Sequence, residues 1–558
     1  MSGRSGGAGG GRTPWVLTAV VAIVLLWLVL YPNLFVLADS VREGGGFTLR
    51  HYAEFLGSRS EREALWNSVW ISLASVVLSA LIGVPLAFLF ALRDFPGQRI
   101  LGALAAMPVL LPPLVGTISF MFLYGESGFF TRGVQALFGL EQAPWRMTGA
   151  WAVLLVHAYT MYVYFYLFVS AGLARLDAGY AEAAAALGAN RWTTLRRVTL
   201  PMLAPALGGA ALLVFMTSMA SFSAPYVFGG GFRVLTTQLY NSKLNGEDSL
   251  VAVEAVVLAL VSLLFLFLLQ RYESRREYTG AGKGLGAGRR ESGGRAWVVG
   301  LAATAFVGFL LLPHATVLLV SFVPEGTWTI QALPPEYSAE NYGRIFSDTQ
   351  RLVPVLNSLR MATVATLANV VFAYAAAWLL SRRRARGGAL IGALVALPWA
   401  LPGTVLAIAL AYTFNVNQPL AGRFVLVGTF AILPLAYFIR NIPLVTRAAL
   451  ASFRQLDPSL EEAAASLGAS RLTTARRVVL PLVLPGLAAG ALLAFVTALG
   501  EFVASILLYT HRTRPISVEM LSQLRAFDFG GAAAYGMILI VLVALVFASG
   551  YRNVGGTG

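Results

Sequence analysis

The sequence predicts an all-α integral membrane protein with twelve transmembrane helices, arranged as two six-helix halves in parallel orientation. Three observations lead to this prediction. The 558 residues are 57% hydrophobic and only 12% charged, whereas soluble domains carry about 25% charged residues. Apolar runs long enough to cross a bilayer occur twelve times, and polar motifs recur in both halves. This composition argues against a soluble enzyme, a disordered chain and a coiled coil.

Each predicted span is an apolar run of about 18 residues or more. The first set covers 15–37, 66–92, 101–124, 149–172, 201–224 and 250–270. The second set covers 296–321, 353–380, 389–413, 424–440, 481–505 and 532–550. Prolines within spans three and nine predict kinks or static bends there. Because each half has an even number of spans, the halves are related by an axis along the membrane normal, and a path along that axis is expected.

The connecting segments alternate in charge along the chain. Bases dominate 271–295 and 381–388, whereas acids outnumber bases in 39–64 and 322–352. The bias of Lys and Arg toward cytoplasmic loops places the first pair inside and both chain termini in the cytoplasm. The same bias accounts for the net charge of +15 without a nucleic-acid partner.

Two motifs show that the halves are repeats. Asn67-Ser68 recurs as Asn357-Ser358, 290 residues later. A run of 26 residues that starts at Leu176 recurs without a gap from Leu456, 280 residues later. The predicted organisation is a flexible cytoplasmic tail over 1–14, a first half over 15–270, a cytoplasmic linker over 271–295 and a second half over 296–558.

The longer repeat lies in a predicted cytoplasmic loop between the fourth and fifth spans of each half. It predicts a short helix that ends at Gly188 or Gly468, where glycine suits a sharp bend. Glu182 and Glu462 precede pairs of alanines, and small side chains let a short helix lie in a partner's groove. The arginines that follow also suit lipid headgroups. Near-identity of the two loops, beside diverged spans, indicates the same kind of partner for both.

The order Glu-Ala-Ala, three residues, Gly, nine residues, an aliphatic residue, one residue, Leu-Pro resembles the EAA loop of type I ATP-binding-cassette importer permeases. The matching positions are Glu182, Ala183, Ala184, Gly188, Val198, Leu200 and Pro201, then Glu462, Ala463, Ala464, Gly468, Val478, Leu480 and Pro481. The resemblance spans about 60–270 and 350–550. It implies the type I permease fold in the plasma (inner) membrane, with each loop docked on one of two copies of a cytoplasmic ATPase. It also implies an external solute-binding protein.

Phe222–Pro225 and Leu499–Phe502 resemble the ferric-iron group of these permeases, so ferric iron is the predicted solute. Thiamine, polyamines and oxyanions such as sulfate or phosphonate remain alternatives. Outside the class, a secondary transporter and a non-transporting membrane scaffold remain open. Few acids lie within the predicted spans, which counts against a proton-coupled transporter.

The chain itself is not predicted to be an enzyme. The Gly-rich stretch around Lys283 lacks the spacing of a phosphate-binding loop, so ATP hydrolysis is expected in a separate subunit. The chain has no cysteine and only four scattered histidines. We therefore predict no catalytic residue, no cofactor and no metal site.

Acids within spans are candidates for function by default. Glu501, late in span eleven, corresponds to Ser221 at the offset of 280. It is a candidate for contact with a cation or the binding protein, or alternatively caps a helix. The candidate pathway residues are Ser221, Ser223, Glu501 and Ser505. Glu254, early in span six, is expected near the outer interface in contact with solvent. His157, in span four, is expected to be a hydrogen-bonded helix residue.

Overall fold

The computed structural model describes residues 15–273, 289–290, 294–328, 331–381, 387–457 and 459–555. The predicted tail over 1–14 and most of the linker over 271–295 lie outside the described residues. Helices dominate the described chain, as the apolar runs predict, and the strands are two residues long.

The helices of the first half are α1 (Trp15–Leu25), α2 (Tyr31–Asp39), α3 (Arg50–Gly57), α4 (Arg59–Leu92), α5 (Gln98–Ala105), α6 (Pro113–Tyr124), α7 (Phe129–Phe138), α8 (Ala150–Leu173), α9 (Ala178–Ala186), α10 (Arg191–Thr194), α11 (Leu200–Met202), α12 (Ala204–Met219), α13 (Ser223–Phe228), α14 (Leu235–Leu244) and α15 (Asp248–Glu273). A π-helical turn, Leu26–Leu30, joins α1 to α2, and a 3-10 turn covers Met107–Leu110. The short strands are β1 (Arg42–Glu43), β2 (Gly46–Phe47), β3 (Arg93–Asp94) and β4 (Arg289–Arg290). β1 pairs antiparallel with β2, and β3 pairs parallel with β4.

The helices of the second half are α16 (Gly294–Val320), α17 (Glu340–Ser347), α18 (Thr349–Ser381), α19 (Gly388–Ala400), α20 (Gly403–Thr413), α21 (Ile432–Gln455), α22 (Ser459–Ser466), α23 (Arg471–Thr474), α24 (Leu480–Leu499), α25 (Val503–Leu508), α26 (Ile516–Arg525) and α27 (Phe529–Gly555). A 3-10 turn covers His511–Thr513. The order of helices from α18 onward follows that from α4 onward, except that no helix of the described chain between α20 and α21 corresponds to α7, and that the single helix α24 corresponds to α11 and α12.

Eight helices of the described residues are long and apolar enough to cross a membrane, and three bent helix pairs bring the total to at most eleven. Each of these eleven corresponds to a predicted span. The bends in spans three and nine come where Pro112 and Pro402 cap α6 and α20 in extended conformation, and the second pair turns by 108°. A proline has no backbone N–H, so it breaks the helix ladder there.

The predicted boundaries of span ten, 424–440, are wrong. Residues 424–431 form turns, and the helix α21 runs from Ile432 to Gln455. Its later part carries Arg440, Arg447 and Arg454, which ended the apolar run too early. Packing against neighbouring helices maintains α21, and hydropathy does not register such packing.

Glycines and buried polar groups hold the helices of each half together. In the first half, α4 lies so close to α8 at Gly83 that an added Cβ would overlap the carbonyl oxygen of Tyr162. In the second half, the amide of Asn369 on α18 donates to the carbonyl oxygen of Phe438 on α21, at 3.1 Å. These contacts set the core of each half.

The first helix of each half packs against the opposite half. The indole of Trp27, in the turn between α1 and α2, donates to the Leu420 carbonyl at 3.1 Å, and its ring lies 5.8 Å from that of Phe414. In return, the carbonyl of Leu310 on α16 accepts from the hydroxyl of Tyr159 on α8, at 2.7 Å. The first helical segment of each half therefore contacts the other half, and these contacts hold the two halves together.

The serine of the short Asn-Ser repeat accepts the same kind of backbone hydrogen bond in both halves. Leu235 N–H donates to the Ser68 hydroxyl at 2.7 Å, and Ile516 N–H donates to the Ser358 hydroxyl at 2.9 Å. Asn67 also donates to the carbonyl of Arg233, at 2.9 Å. The motif thus anchors the start of α14 to α4 and the start of α26 to α18.

The expected solvent contact of Glu254 is wrong, because its side chain is completely buried. Its carboxylate accepts from the hydroxyl of Ser242 at 2.8 Å. The neighbouring carboxylate of Glu61, also buried, accepts from the amide of Gln238 at 2.7 Å. The helices α3, α4, α14 and α15 cover this cluster, and only their packing removes it from water.

Candidate coupling loops and transport pathway

Each long repeat folds into a short helix that starts at an aspartate. Asp177 accepts from the backbone N–H of Gly179 before α9, and Asp457 accepts from that of Ser459 before α22, both at 2.9 Å. The hydrogen bonds from Ser459 lower the pKa of Asp457 below its ordinary value. The cap's contribution is therefore present above the ordinary pKa of aspartate and is lost as the pH falls through the lowered value.

Glycine ends each short helix with the bend that the sequence predicts. Gly188 and Gly468 have φ angles of +82° and +79°, which other residues adopt with strain. The backbone N–H of the residue after each glycine donates to a carbonyl oxygen in the last turn of the helix. Ala189 donates to Ala184 and Ala469 donates to Ala464, at 3.0 Å in both loops. This is the hydrogen bond that closes helix ends at a left-handed glycine.

Most of the predicted docking residues lie at the surface of the described protein. Glu182, Ala183, Glu462 and Ala463 are exposed, Ala184 is partly exposed, and Ala464 is buried. The residue before each glycine has an apolar side chain that is exposed at the surface: Leu187 is 89% exposed and Leu467 is 88% exposed. An isolated surface leucine is common, but two at matched positions beside matched acids form a repeated surface.

A π-helical turn follows the short helices at the same position in both halves. It covers Leu195–Thr199 in the first half and Ala475–Val479 in the second. In the first half, the segments Arg191–Met202 and Ala204–Met219 meet at 65°. Such turns are often found at functional sites, and here each one joins a loop to a spanning helix.

Glu501 is buried, and its carboxylate binds the start of the short helix α25. It accepts from the backbone N–H of Ala504 at 3.0 Å and from that of Ser505 at 3.1 Å. The hydroxyl of Ser505 lies 2.7 Å from that of Tyr437. The geometry therefore matches the capping alternative, since two of the free N–H groups at the helix start find an acceptor.

The first half uses a histidine in the corresponding place. Ser221 replaces Glu501, and its hydroxyl lies 2.9 Å from Nε2 of the buried His157. The other ring nitrogen, Nδ1, lies 2.9 Å from the hydroxyl of Ser75. The expectation that His157 is a hydrogen-bonded helix residue is confirmed. Ser223 is buried, and its hydroxyl has no partner within the described chain.

These two polar networks lie where the halves meet. The rings of Phe222 and Phe502, which follow Ser221 and Glu501, are 5.8 Å apart across the interface. A Cβ on Gly500 would lie 3.0 Å from Pro112 of the first half. The sequence predicted the four pathway residues, but it missed His157 and Tyr437 as their partners. His157 and Tyr437 are 280 positions apart, the same offset that relates Ser221 to Glu501, and this offset could have identified them as equivalent positions.

Replacing Glu501 with alanine is expected to lower stability by about 1–2 kcal/mol, because α25 loses its cap. The midpoint of thermal unfolding of the purified protein measures this loss. Glu501→Gln, which retains an acceptor oxygen, is expected to lose less. The exposed loop residue Glu336 supplies a control, Glu336→Ala, with an unchanged midpoint. Equal midpoints for Glu501→Ala and wild type would show that the carboxylate does not cap the helix.

The two halves also match one family. The profile of the binding-protein-dependent transport system inner membrane component matches residues 79–278 and again 369–553. The chain belongs to this family. It is therefore a fused permease subunit with two copies of the family domain, embedded in the inner membrane.

Relatives of this fused permease support the same assignment. A probable ABC transporter permease of Sinorhizobium fredii is 30% identical over 544 residues, which cover 96% of this chain and 94% of the relative. The ferric transport system permease of Actinobacillus pleuropneumoniae is 26% identical and covers 95% of this chain and 77% of its own. The sulfate transport system permease of Salmonella typhimurium is 33% identical over 42% of this chain and 86% of its own.

Proposed function

We propose that this permease forms the whole translocation pathway of an ATP-driven importer. In this proposal, one copy of a separate cytoplasmic ATPase docks under α9 and a second copy docks under α22. The observation that carries the proposal is the repeated surface of the two loops, with Glu182 and Leu187 exposed on one and Glu462 and Leu467 on the other. A matched pair of surfaces suits two identical partners.

The chemistry of each loop fits a groove in that partner. The alanines allow close approach of the short helix, the exposed leucine supplies apolar area, and the glutamate supplies a charge that selects the register. The Asp cap and the left-handed glycine hold each short helix in shape before docking. A preformed helix loses little conformational freedom when it binds.

Energy would reach the pathway through movement of the loops. Closure of an ATPase dimer on ATP would draw α9 and α22 together, and the halves would rock to open the path outward. The π-helical turns, Leu195–Thr199 and Ala475–Val479, join each loop to its spanning helix. ATP and the external binding protein each favour the state that they bind more tightly, and hydrolysis returns the path to face inward.

The proposed arrangement has twelve crossing helices, which are the eleven described above and α21. Both termini lie in the cytoplasm, and the halves cover 15–270 and 296–558 around a cytoplasmic linker, 271–295. We propose that the path runs beside Ser221, Ser223, Glu501 and Ser505, and that Glu501 holds α25 in position there.

Ferric iron is the proposed solute, delivered by an external binding protein. The resemblance to a ferric transport permease supports it, because that similarity covers almost the whole chain. An oxyanion is the second candidate, supported by the resemblance of part of the chain to a sulfate permease.

Deleting the gene is expected to abolish the high-affinity uptake of iron in cells grown under iron limitation. Uptake of radiolabelled ferric iron measures the effect, with sulfate uptake followed in parallel. Wild-type permease supplied on a plasmid should restore the uptake. Normal iron uptake with impaired sulfate uptake would move the solute to the oxyanion. Normal uptake of both would reject iron and sulfate as solutes.

A further inference from the structure

Arg440 lies inside α21, the helix proposed above as a further crossing helix, although the sequence prediction ended the span at this residue. It is the ninth residue of α21, eight residues from one end and fifteen from the end that leads to the α22 loop. At about 1.5 Å per residue, these distances are about 12 Å and about 22 Å. A charged side chain at such a depth is costly, and it persists where it contacts water, a partner or a ligand.

Among the described residues, Arg440 has neither an ion-pair partner nor a hydrogen-bond partner, and its side chain is partly exposed. Two other arginines of this half form ion pairs with acidic side chains. The guanidinium of Arg344 lies 2.7 Å from the Glu325 carboxylate, and that of Arg514 lies 2.7 Å from the Glu519 carboxylate. The positive charge of Arg440 is thus available to a ligand.

The guanidinium of Arg440 adjoins the start of a broken helix. Its Nη1 occupies the space that a Cβ on Gly403, the first residue of α20, would fill. α20 is eleven residues long and follows the 108° bend. The first N–H groups of a helix have no partners within it, and they carry partial positive charge. The start of a discontinuous membrane helix is therefore suited to an anionic group.

A buried group at this helix start also lacks a partner. Thr404 is completely buried, and its hydroxyl forms no hydrogen bond within the described chain. Buried hydroxyl groups normally find a partner, so the hydroxyl of Thr404 remains available to one. Guanidinium, hydroxyl and helix N–H groups are all hydrogen-bond donors at this place, which is the donor set that an oxyanion or a carboxylate requires.

The site lies next to the contact between the halves. The space beside Gly403 is also bounded by Val503, whose Cγ1 would be 3.4 Å from an added Cβ. Val503 follows Phe502, which touches Phe222 of the first half. A ligand bound by Arg440 would therefore lie beside the proposed path.

The first half has no equivalent charge. The residue that corresponds to Arg440 at the offset of 280 is Thr160, whose hydroxyl donates to the carbonyl of Val156 in its own helix at 2.8 Å. The donors therefore belong to one half only, and a single anion would be bound off the axis.

We propose that Arg440, the start of α20 and Thr404 form an anion site in the transport pathway, which binds an oxyanion or a carboxylate group of the solute. This inference rests on the proposed transport function and specifies its substrate class. Iron would then travel with carboxylate or oxyanion ligands and not as the bare cation. A free oxyanion such as sulfate has the same chemistry and is the other source of the bound group.

Binding to the purified full-length permease tests the site directly. Sodium sulfate and sodium citrate, each at constant ionic strength, are expected to raise the midpoint of thermal unfolding in a saturable manner. Arg440→Gln should weaken the apparent affinity at least tenfold, and Arg440→Lys should weaken it less, because the charge remains. The control is Arg360→Gln, since Arg360 is an exposed arginine of α18 that should not affect binding. Equal affinities for wild type and Arg440→Gln, or equal losses in Arg440→Gln and Arg360→Gln, would overturn the proposal.

Transport by the assembled importer distinguishes the source of the anion. Vesicles with the permease, its ATPase and its binding protein receive radiolabelled iron as ferric citrate, or radiolabelled sulfate. We expect Arg440→Gln to reduce the uptake that wild type supports by tenfold or more. A loss of ferric citrate uptake would identify the bound group as an anion that chelates iron, and a loss of sulfate uptake would identify it as a free anion. Undiminished uptake by the variant would reject the site and leave the importer function intact. If wild type takes up neither substrate, the proposed solutes fail, and the binding measurement still decides the site.

Discussion

Reversing the charge of both coupling glutamates, Glu182→Lys with Glu462→Lys, is expected to reduce transport to less than a tenth of the wild-type rate. Both side chains are exposed on short helices whose shape depends on other residues, the aspartate caps and the glycines. The substitutions should therefore leave the fold unchanged. In the proposed docked complex, they would replace an attractive charge with a repulsive one, which would cost affinity and register.

Co-purification of the ATPase with the tagged permease and solute uptake by the same cells measure this effect together. The double variant should reach the membrane at the wild-type level and lose the ATPase. A control with the same change in net charge is Glu141→Lys with Glu336→Lys, because both residues are exposed outside the loops. A double loop variant that retains the ATPase and transports normally would refute docking through these helices.

Replacing Gly83 with valine is expected to prevent folding of the first half. A Cβ at this position would overlap the Tyr162 carbonyl oxygen and lie 2.7 Å from the Cβ of Phe165. Both contacts belong to α8, one of them to its backbone, so no side chain can rotate away. Overpacking of a core commonly costs about 1–3 kcal/mol, and a clash with rigid backbone belongs at or above the top of that range.

The yield of monodisperse permease after detergent extraction measures this loss. Gly308→Val is the matched control, because Gly308 also lies within a spanning helix and an added Cβ there meets nothing within 4 Å. Both variants change helix propensity equally, so a difference between them reports packing alone. Equal yields of the two variants would show that α4 and α8 can separate at Gly83 without loss of the fold.

The transmembrane helices and the coupling loops were largely predictable from local sequence. Apolar runs predict spanning helices because a bilayer satisfies no backbone hydrogen bond, and this constraint acts on each segment separately. The loops were predictable for a different reason: Asp177, Gly188 and their counterparts encode a cap and a bend within a few residues. Local rules failed at α21, where charged residues interrupt the apolar run although the helix continues.

The sites inside the bundle were less predictable, since they depend on residues far apart in the chain. Glu501 was recognised as a candidate, but its role as a cap depends on the position of α25. Glu254 was expected in water and is buried, because three other helices cover it. Arg440 was overlooked because its place beside Gly403 follows from the bend between α19 and α20.

The sequence by itself determined that the protein is a two-half membrane permease and that each half carries the same loop repeat, for which a coupling role is proposed. Hydropathy, charge bias and an in-register repeat are properties of the linear chain, so they can be read without coordinates. Only the tertiary structure decided how the halves clamp each other through α1, α2 and α16, and which polar groups meet between them. Those contacts join residues more than one hundred positions apart, and close packing of helices, which no local pattern encodes, selects them.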